Sequence, residues 1–184
     1  MPKLAVTCAV ALFAAFLLVS PAVAQAPGAV EIGYDLGISF LMPEQGDDLV
    51  VLAVPRSVSF GVSTVRAGFY LTKSSELEPS LGLLLLSSSG TTATQLALGL
   101  DYLHNFAGAH TRPFLMGGGR VLSFDNGNQS ESQFGLAGGV GAKSTIGDRA
   151  AMRYGVELVR QFESDTFASR WDVGLSIGVS LFTK

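Results

Sequence analysis

The chain has 184 residues, with 12 Lys and Arg against 15 Asp and Glu, a formal net charge of −3, and a single cysteine. That balance provides no basic patch for nucleic acid, and one thiol makes neither an internal disulfide nor a thiolate metal site. Hydrophobic residues form 48% of the sequence, so much apolar material has to be placed against a core or against lipid.

In chain order, Met1-Pro2-Lys3 precedes an apolar run from Leu4 to Val19 that only Thr7 and Cys8 interrupt. Ser20-Pro21 ends the run and Ala22-Val23-Ala24 follows. A basic start, a short apolar core and an A-x-A site predict a secretory signal peptide over residues 1–24, with cleavage after Ala24 and Ala26 as the next site. The run is shorter than the roughly 20 residues of a membrane-spanning helix. Cys8 lies near the start of the apolar core, whereas a lipoprotein carries its Cys at the end, so lipidation is not expected. The mature chain then has no cysteine. Without Lys3, 11 basic residues face 15 acidic ones, a net charge of −4. Residues 25–184 are one domain's worth.

After the signal segment the dominant period is two, the period of a strand with two different faces. Val30, Ile32, Tyr34, Leu36, Ile38 and Phe40 alternate with Glu31, Gly33, Asp35, Gly37 and Ser39. A second strand, Val58 to Thr72, carries Val65, Ala67, Phe69 and Leu71 against Arg66, Gly68 and Tyr70. Glu76 to Ser88 sets Leu77, Leu81, Leu83 and Leu85 against Glu76, Glu78, Ser80 and Gly82, and Thr92 to Phe106 sets Leu96, Leu98, Leu100 and Tyr102 against Gln95, Ala97, Gly99 and Asp101. Arg112 to Leu122 is ambiguous, because Gly117-Gly118-Gly119 erases the alternation. Ser132 to Lys143 sets Phe134, Leu136 and Val140 against Gln133, Gly135, Gly139, Gly141 and Lys143. Ala150 to Phe162 sets Met152, Tyr154, Val156 and Leu158 against Arg153, Gly155, Glu157 and Gln161. The last segment is the clearest: Trp171, Val173, Leu175, Ile177, Val179 and Leu181 alternate with Asp172, Gly174, Ser176, Gly178 and Ser180.

These segments predict an all-β chain, an eight-stranded antiparallel up-and-down transmembrane β-barrel. Each is about as long as the 9–11 residues a tilted membrane strand needs, and an even number returns both ends to the periplasmic side. Lys73-Ser74-Ser75, Ala107 to Thr111 and Ser144 to Arg149 read as short periplasmic turns. Pro43 to Ser57, Ser123 to Glu131 and Glu163 to Ala168 read as outer loops, with Ser87 to Thr91 short for its side. The apolar stretch Leu49 to Val54 either extends the second strand or spans separately, and the latter would change the strand number. Phe40, Phe124, Phe134, Phe162 and Trp171 fall near the outer ends; Phe69, Tyr102, Phe106, Phe114, Tyr154 and Phe182 fall near the inner ends. Two aromatic girdles around an aliphatic band suit lipid interfaces. A soluble eight-stranded barrel such as a lipocalin would turn the large apolar face inward. Here the small and polar face fits a lumen just wide enough for side chains.

The signal peptide, the run Glu78-Pro79-Ser80-Leu81-Gly82-Leu83 and the closing Val173-Gly174-Leu175-Ser176-Ile177-Gly178-Val179-Ser180-Leu181-Phe182 resemble the small outer-membrane β-barrel superfamily, which includes the OmpA transmembrane domain, OmpX and OmpW. The resemblance covers the whole mature chain and rests on pattern. It implies a place in the cell outer membrane, lipid and lipopolysaccharide as surroundings, the barrel-assembly machinery as a partner, and a monomer. Such barrels usually finish on a terminal aromatic, whereas Thr183-Lys184 follow Phe182 here.

Gly138-Gly139-Val140-Gly141-Ala142-Lys143-Ser144-Thr145 has the flavour of a phosphate loop, but Ala142 separates the last Gly from the Lys, and no helix start follows. The inner face carries Glu31, Asp35, Glu76, Glu78, Asp101, Glu157 and Asp172 with Arg66, Lys143 and Arg153. Paired carboxylates serve catalysis elsewhere, yet nothing here selects a nucleophile. An internal network filling a closed lumen is the expectation, since buried charges must be paired. With acids in excess, some carboxylates are expected near the open ends, in water. His104 and His110 are the only histidines. Two histidines alone make no zinc site, and neither has a Ser two residues on, as the Ser-His pair of a lipid A deacylase would require. Asp125-Asn126-Gly127-Asn128 fits a plain turn better than a calcium loop. No catalytic, cofactor-binding or metal-ligating residues are assigned, and no cofactor is expected.

The leading expectation is a non-enzymatic barrel acting in envelope integrity or in surface interaction through an acidic outer rim of Glu44, Asp47, Asp48, Asp125, Glu131, Glu163 and Asp165. The alternatives are a lipid-modifying enzyme of the same architecture and a pathway for small hydrophobic molecules.

Overall fold

The computed structural model describes residues 27–44, 49–53, 64–88, 91–108, 110–125, 127, 130–165 and 168–183. The predicted signal peptide lies outside the described residues, as do Asp47, Asp48 and residues 54–63. Nine strands appear: β1 Val30–Pro43, β2 Leu49–Ala53, β3 Thr64–Tyr70, β4 Ser75–Ser88, β5 Thr91–Asn105, β6 Thr111–Asp125, β7 Ser130–Gly147, β8 Ala150–Gln161 and β9 Arg170–Phe182. They make eight staves, because β2 and β3 lie end to end beside the same edge of β1. β2 pairs with the outer half of β1 (Gly37 opposite Ala53, Leu41 opposite Leu49), and β3 with its inner half (Val30 opposite Phe69, Gly33 opposite Arg66). All pairings are antiparallel between neighbours in sequence, and β1 closes the sheet on β9 through pairs from Glu31–Phe182 to Pro43–Arg170. The fold is therefore the expected closed up-and-down barrel. No helix occurs among the described residues.

The second stave departs from expectation. The alternation predicts one strand from Val58 to Thr72, whereas Leu49–Ala53 supplies its outer part and Thr64–Tyr70 its inner part. The stretch around Leu49 thus extends the second stave and adds no ninth one. Two smaller boundaries also move. β7 continues through Gly147, with a register shift between Thr145 and Gly147, so the turn expected over Ser144 to Arg149 shrinks to Asp148-Arg149. The glycine-rich β6 is fully regular: Gly117, Gly118 and Gly119 pair with Gly138, Ala137 and Leu136.

The stagger follows from the pairings. A hydrogen-bonded walk from Gly33 passes through Arg66, Ser80, Gly99, Arg120, Gly135, Gln161 and Arg170 and returns to β1 at Pro43, ten residues from its start. Closure with stagger requires tilted strands, typically by 35–45°, and eight of them enclose only side chains. The faces are sorted as for lipid. Ile38, Leu175, Val156, Val140 and Leu115 form one register row on the outside, and Leu81, Leu83, Leu85, Leu98, Leu100, Phe134, Leu136, Ile177 and Leu181 are all exposed there. The residues with the least exposure include Glu31, Glu76, Gln133 and Gln161, alongside Leu103. A soluble protein would invert this distribution.

The aromatic girdles are sparser than expected. Phe40, Phe134, Phe162 and Trp171 are exposed at the outer end, and Phe69, Tyr102 and Phe106 at the inner end. Phe114, however, is buried in the lumen with Leu103 and Met116. Phe124 shares the lumen-facing parity of Arg120 and Leu122. Phe182 shares that of Asp172 and Ser180, with its ring 6.4 Å from Tyr70. Closeness to a strand end, which places these three in the girdles by sequence, does not reveal a face.

Candidate functional site: the charged lumen

All ten inner-face charges named from the alternation are buried. In the inner half of the lumen they meet at two cations. Arg66 of β3 donates from Nε and Nη2 to Asp35 (2.8 and 3.1 Å), from Nη1 to Glu31 (2.8 Å) and Glu78 (3.0 Å), and from Nη2 to Ser180 (3.0 Å). Lys143 of β7 donates to Glu31 (2.5 Å), Glu76 (2.7 Å) and the Tyr70 hydroxyl (2.9 Å), which itself donates to Glu31 (2.7 Å). Arg153 adds a bond to Glu78 (2.5 Å), and Asn105 one to Glu76 (3.0 Å). Residues from seven staves are thereby joined across the lumen.

The packing explains two of the glycines. A Cβ at Gly33 would overlap the Arg66 guanidinium, so that position must be Gly for the arginine to lie flat on the wall. A Cβ at Gly141 would overlap the Phe114 ring. Phe114 in turn sits beneath two cations, Arg153 at 4.7 Å and Lys143 at 5.9 Å from its centroid, where the ring face offsets part of the cost of burying them.

Farther out, Arg120 of β6 bridges Asp101 and Glu157, both at 2.6 Å, and Arg170 of β9 holds Asp172 at 2.9 Å. Arg120 and Arg170 were missed as inner-face charges. Arg120 follows the glycine run that hid the parity of β6, although Leu115 and Val121 on the opposite face could have revealed it. Arg170 precedes the first recognised residue of its strand. Their presence corrects the expectation that surplus carboxylates sit in water near the open ends: all seven are buried and engaged by a cation, or stand within a cluster that one organises.

The arrangement leaves little chemistry for the lumen. The carboxylates of Glu31, Glu76 and Glu78 approach within 4.8 Å of one another, a spacing that would suit a cation. Lys143, Arg66 and Arg153 already supply that positive charge. On the outer surface Ser75 and His104 are register partners, a cross-strand Ser-His neighbour that spacing along the chain could not display. They do not form a nucleophile–base pair: the Ser75 hydroxyl bonds the Tyr102 hydroxyl (3.0 Å), and the His104 ring packs edge-on against Phe106 at 4.9 Å. The Gly-rich run ending in Lys143 is strand, and Lys143 is committed to Glu31 and Glu76. Asp125 accepts the Gly127 N–H (2.7 Å), and Gly127 has a φ of 81°, both features of a turn; Asn126 and Asn128 lie outside the described residues.

At the outer rim, beyond the strands, Glu44 accepts bonds from Ser169 and Arg160 (both 2.5 Å), while its N–H donates to the Ser169 carbonyl (3.1 Å). The Ser169 hydroxyl and Arg160 hold the Glu44 carboxyl below its ordinary pKa. Arg160 lies 5.2 Å over the Trp171 ring. This clamp joins the end of β1 to the β8–β9 hairpin across the closing seam.

No family model and no curated protein matches the sequence. Solved structures do match. Neisserial surface protein A superposes with a TM-score of 0.61 at 15% identity, over 84% of this chain and 98% of that one. The outer membrane protein AlkL, determined in lipid bilayers, gives 0.57 at 13% identity over 91% and 95%. The N-terminal β-barrel domain of OprF from Pseudomonas aeruginosa gives 0.55 at 18% identity over 86% and 100%. At such identities the likeness is one of architecture: this chain has the fold of the small eight-stranded outer-membrane β-barrels.

Proposed function

We propose that the chain resides in the outer membrane, exported behind a signal peptide cleaved after Ala24, and works without catalysis, in envelope integrity or in surface interaction through its acidic outer connections. One observation carries this reading: the ten inner-face charges named from the alternation, together with Arg120 and Arg170, are paired with one another, so the lumen is a packed polar core and the outer rim is where a partner would be met. Lipid and lipopolysaccharide surround the barrel in this reading, assembly machinery inserts it, and it acts as a monomer. Among the rim charges in the described residues, the acids Glu44, Asp125, Glu131, Glu163 and Asp165 outnumber Arg160, an excess which suits divalent cations shared with anionic lipid headgroups.

The test is fractionation of the producing cells. The protein should be in the outer-membrane fraction, run anomalously on gels unless boiled, and have an intact mass that begins at Gln25. Cells lacking it should become more permeable to large antibiotics or lose adhesion. Recovery in the inner membrane with Met1 retained would overturn the location. Release of fatty acids from lipid A by the purified barrel would overturn the non-catalytic reading.

A further inference from the structure

Gln133 of β7 points into the lumen at its outer end and is almost fully buried. Its side-chain amide donates to two backbone carbonyls of the β8–β9 connection: Phe162 at 2.8 Å and Ala168 at 3.3 Å. One carbonyl belongs to the segment leaving β8 and the other to the segment entering β9. A single amide with two N–H donors therefore ties both sides of this connection to a third strand. Beneath the tie lie Gln161, Ser169, Arg170 and Asp172, all buried although they occupy the outer mouth. Polar side chains at the open end of a barrel would otherwise be wetted, whereas these four are shielded from water at the level of the tie.

We propose that Gln133 is a strap that holds the outer mouth of the barrel shut. The Phe162 N–H, bonded to the Phe134 carbonyl (2.9 Å), fixes one side of the connection to β7. The Glu44 N–H, bonded to the Ser169 carbonyl, fixes the other side to the end of β1. Neither of these two bonds spans the connection, whereas those of Gln133 do. Loss of its two donors removes this tie and lets water reach the Arg170–Asp172 pair. Local opening of this kind is a conformational equilibrium measured by exchange and labelling.

The experiment compares wild-type protein with Gln133→Ala and with the isosteric Gln133→Glu, which lacks both donors. Folding of each is checked by heat-modifiable gel migration. Amide hydrogen exchange of Phe162 and Glu44 is followed in detergent micelles. In parallel, Ser39→Cys in a Cys8→Ser background reports solvent entry; Ser39 lies inward in the outer half of β1, opposite Gly174, and is labelled with a membrane-impermeant maleimide. Both substitutions at Gln133 should speed exchange and labelling roughly tenfold, the effect of losing about two hydrogen bonds. The amide of Phe182, bonded to Arg149 at the inner end, should be unaffected. The same substitution at Gln95, an inner-face glutamine of β5, should also have no effect. Unchanged exchange and labelling in both Gln133 variants would overturn the proposal. Equally fast labelling in the wild-type background would overturn it too, since the mouth would then be open regardless.

Discussion

The assignment of the two faces is tested most sharply by a pair of neighbours at mid-strand on β9. Leu175 faces outward between Ile38 of β1 and Val156 of β8, with 39% of its surface exposed to what surrounds the barrel. Arg at a lipid-facing mid-membrane position costs about 2–4 kcal/mol. Ser176, one residue on, faces the lumen between Gly37 and Gly155. Its side-chain oxygen lies 3.1 Å from the position a Cβ on Gly155 would take. An Arg there would enter a gap between two glycines, with Asp35 and Glu157 two residues away on the flanking strands. Its cost is steric and partly offset by those carboxylates. Leu175→Arg should therefore lower the folding free energy in lipid vesicles by about 2 kcal/mol more than Ser176→Arg, a factor of roughly 30 in the folding equilibrium. Urea titration of vesicle-inserted protein measures both. Equal costs, or a greater cost for Ser176→Arg, would mean that the barrel faces are reversed.

Three other outcomes are expected. Arg120→Ala leaves Asp101 and Glu157 buried without their shared cation and should destabilise the barrel by about 3–5 kcal/mol; adding Asp101→Asn and Glu157→Gln should recover most of the loss in the same titration, and a loss below about 1 kcal/mol would show that the pair is hydrated. In planar bilayers the protein should give rare, small events at most, because eight strands leave room only for side chains, and any current should favour cations, since seven carboxylates and five cations are buried inside among the described residues; stable channels of porin size would refute the closed lumen. Because the Glu44 pKa is lowered in the folded protein, its clamp is intact above the ordinary carboxylate range and is lost as pH falls through the lowered value. The fluorescence of Trp171, the only tryptophan, should follow that loss through Arg160, and a Glu44→Gln variant titrating identically would dissociate the signal from the clamp.

Alternation alone was enough to derive the architecture, the face of every strand but β6 and ten of the buried charges. A strand has a strict period of two, and a membrane barrel must show a continuous apolar band to lipid, so each segment declares its two faces independently of its neighbours. What stayed hidden depends on which strand lies beside which. The division of the second stave became visible only when Gly37 was found opposite Ala53 and Gly33 opposite Arg66. In β6 three glycines interrupt the contrast between faces, and the pairing with β5 and β7 is what places Phe114 and Arg120 in the lumen. The sharing of Glu31 between Arg66 and Lys143, 35 and 112 residues away, is a contact across a closed cylinder. No local period encodes it, because the ten-residue stagger of the closed sheet decides which inward side chains share a height, and that stagger exists only once β1 has met β9.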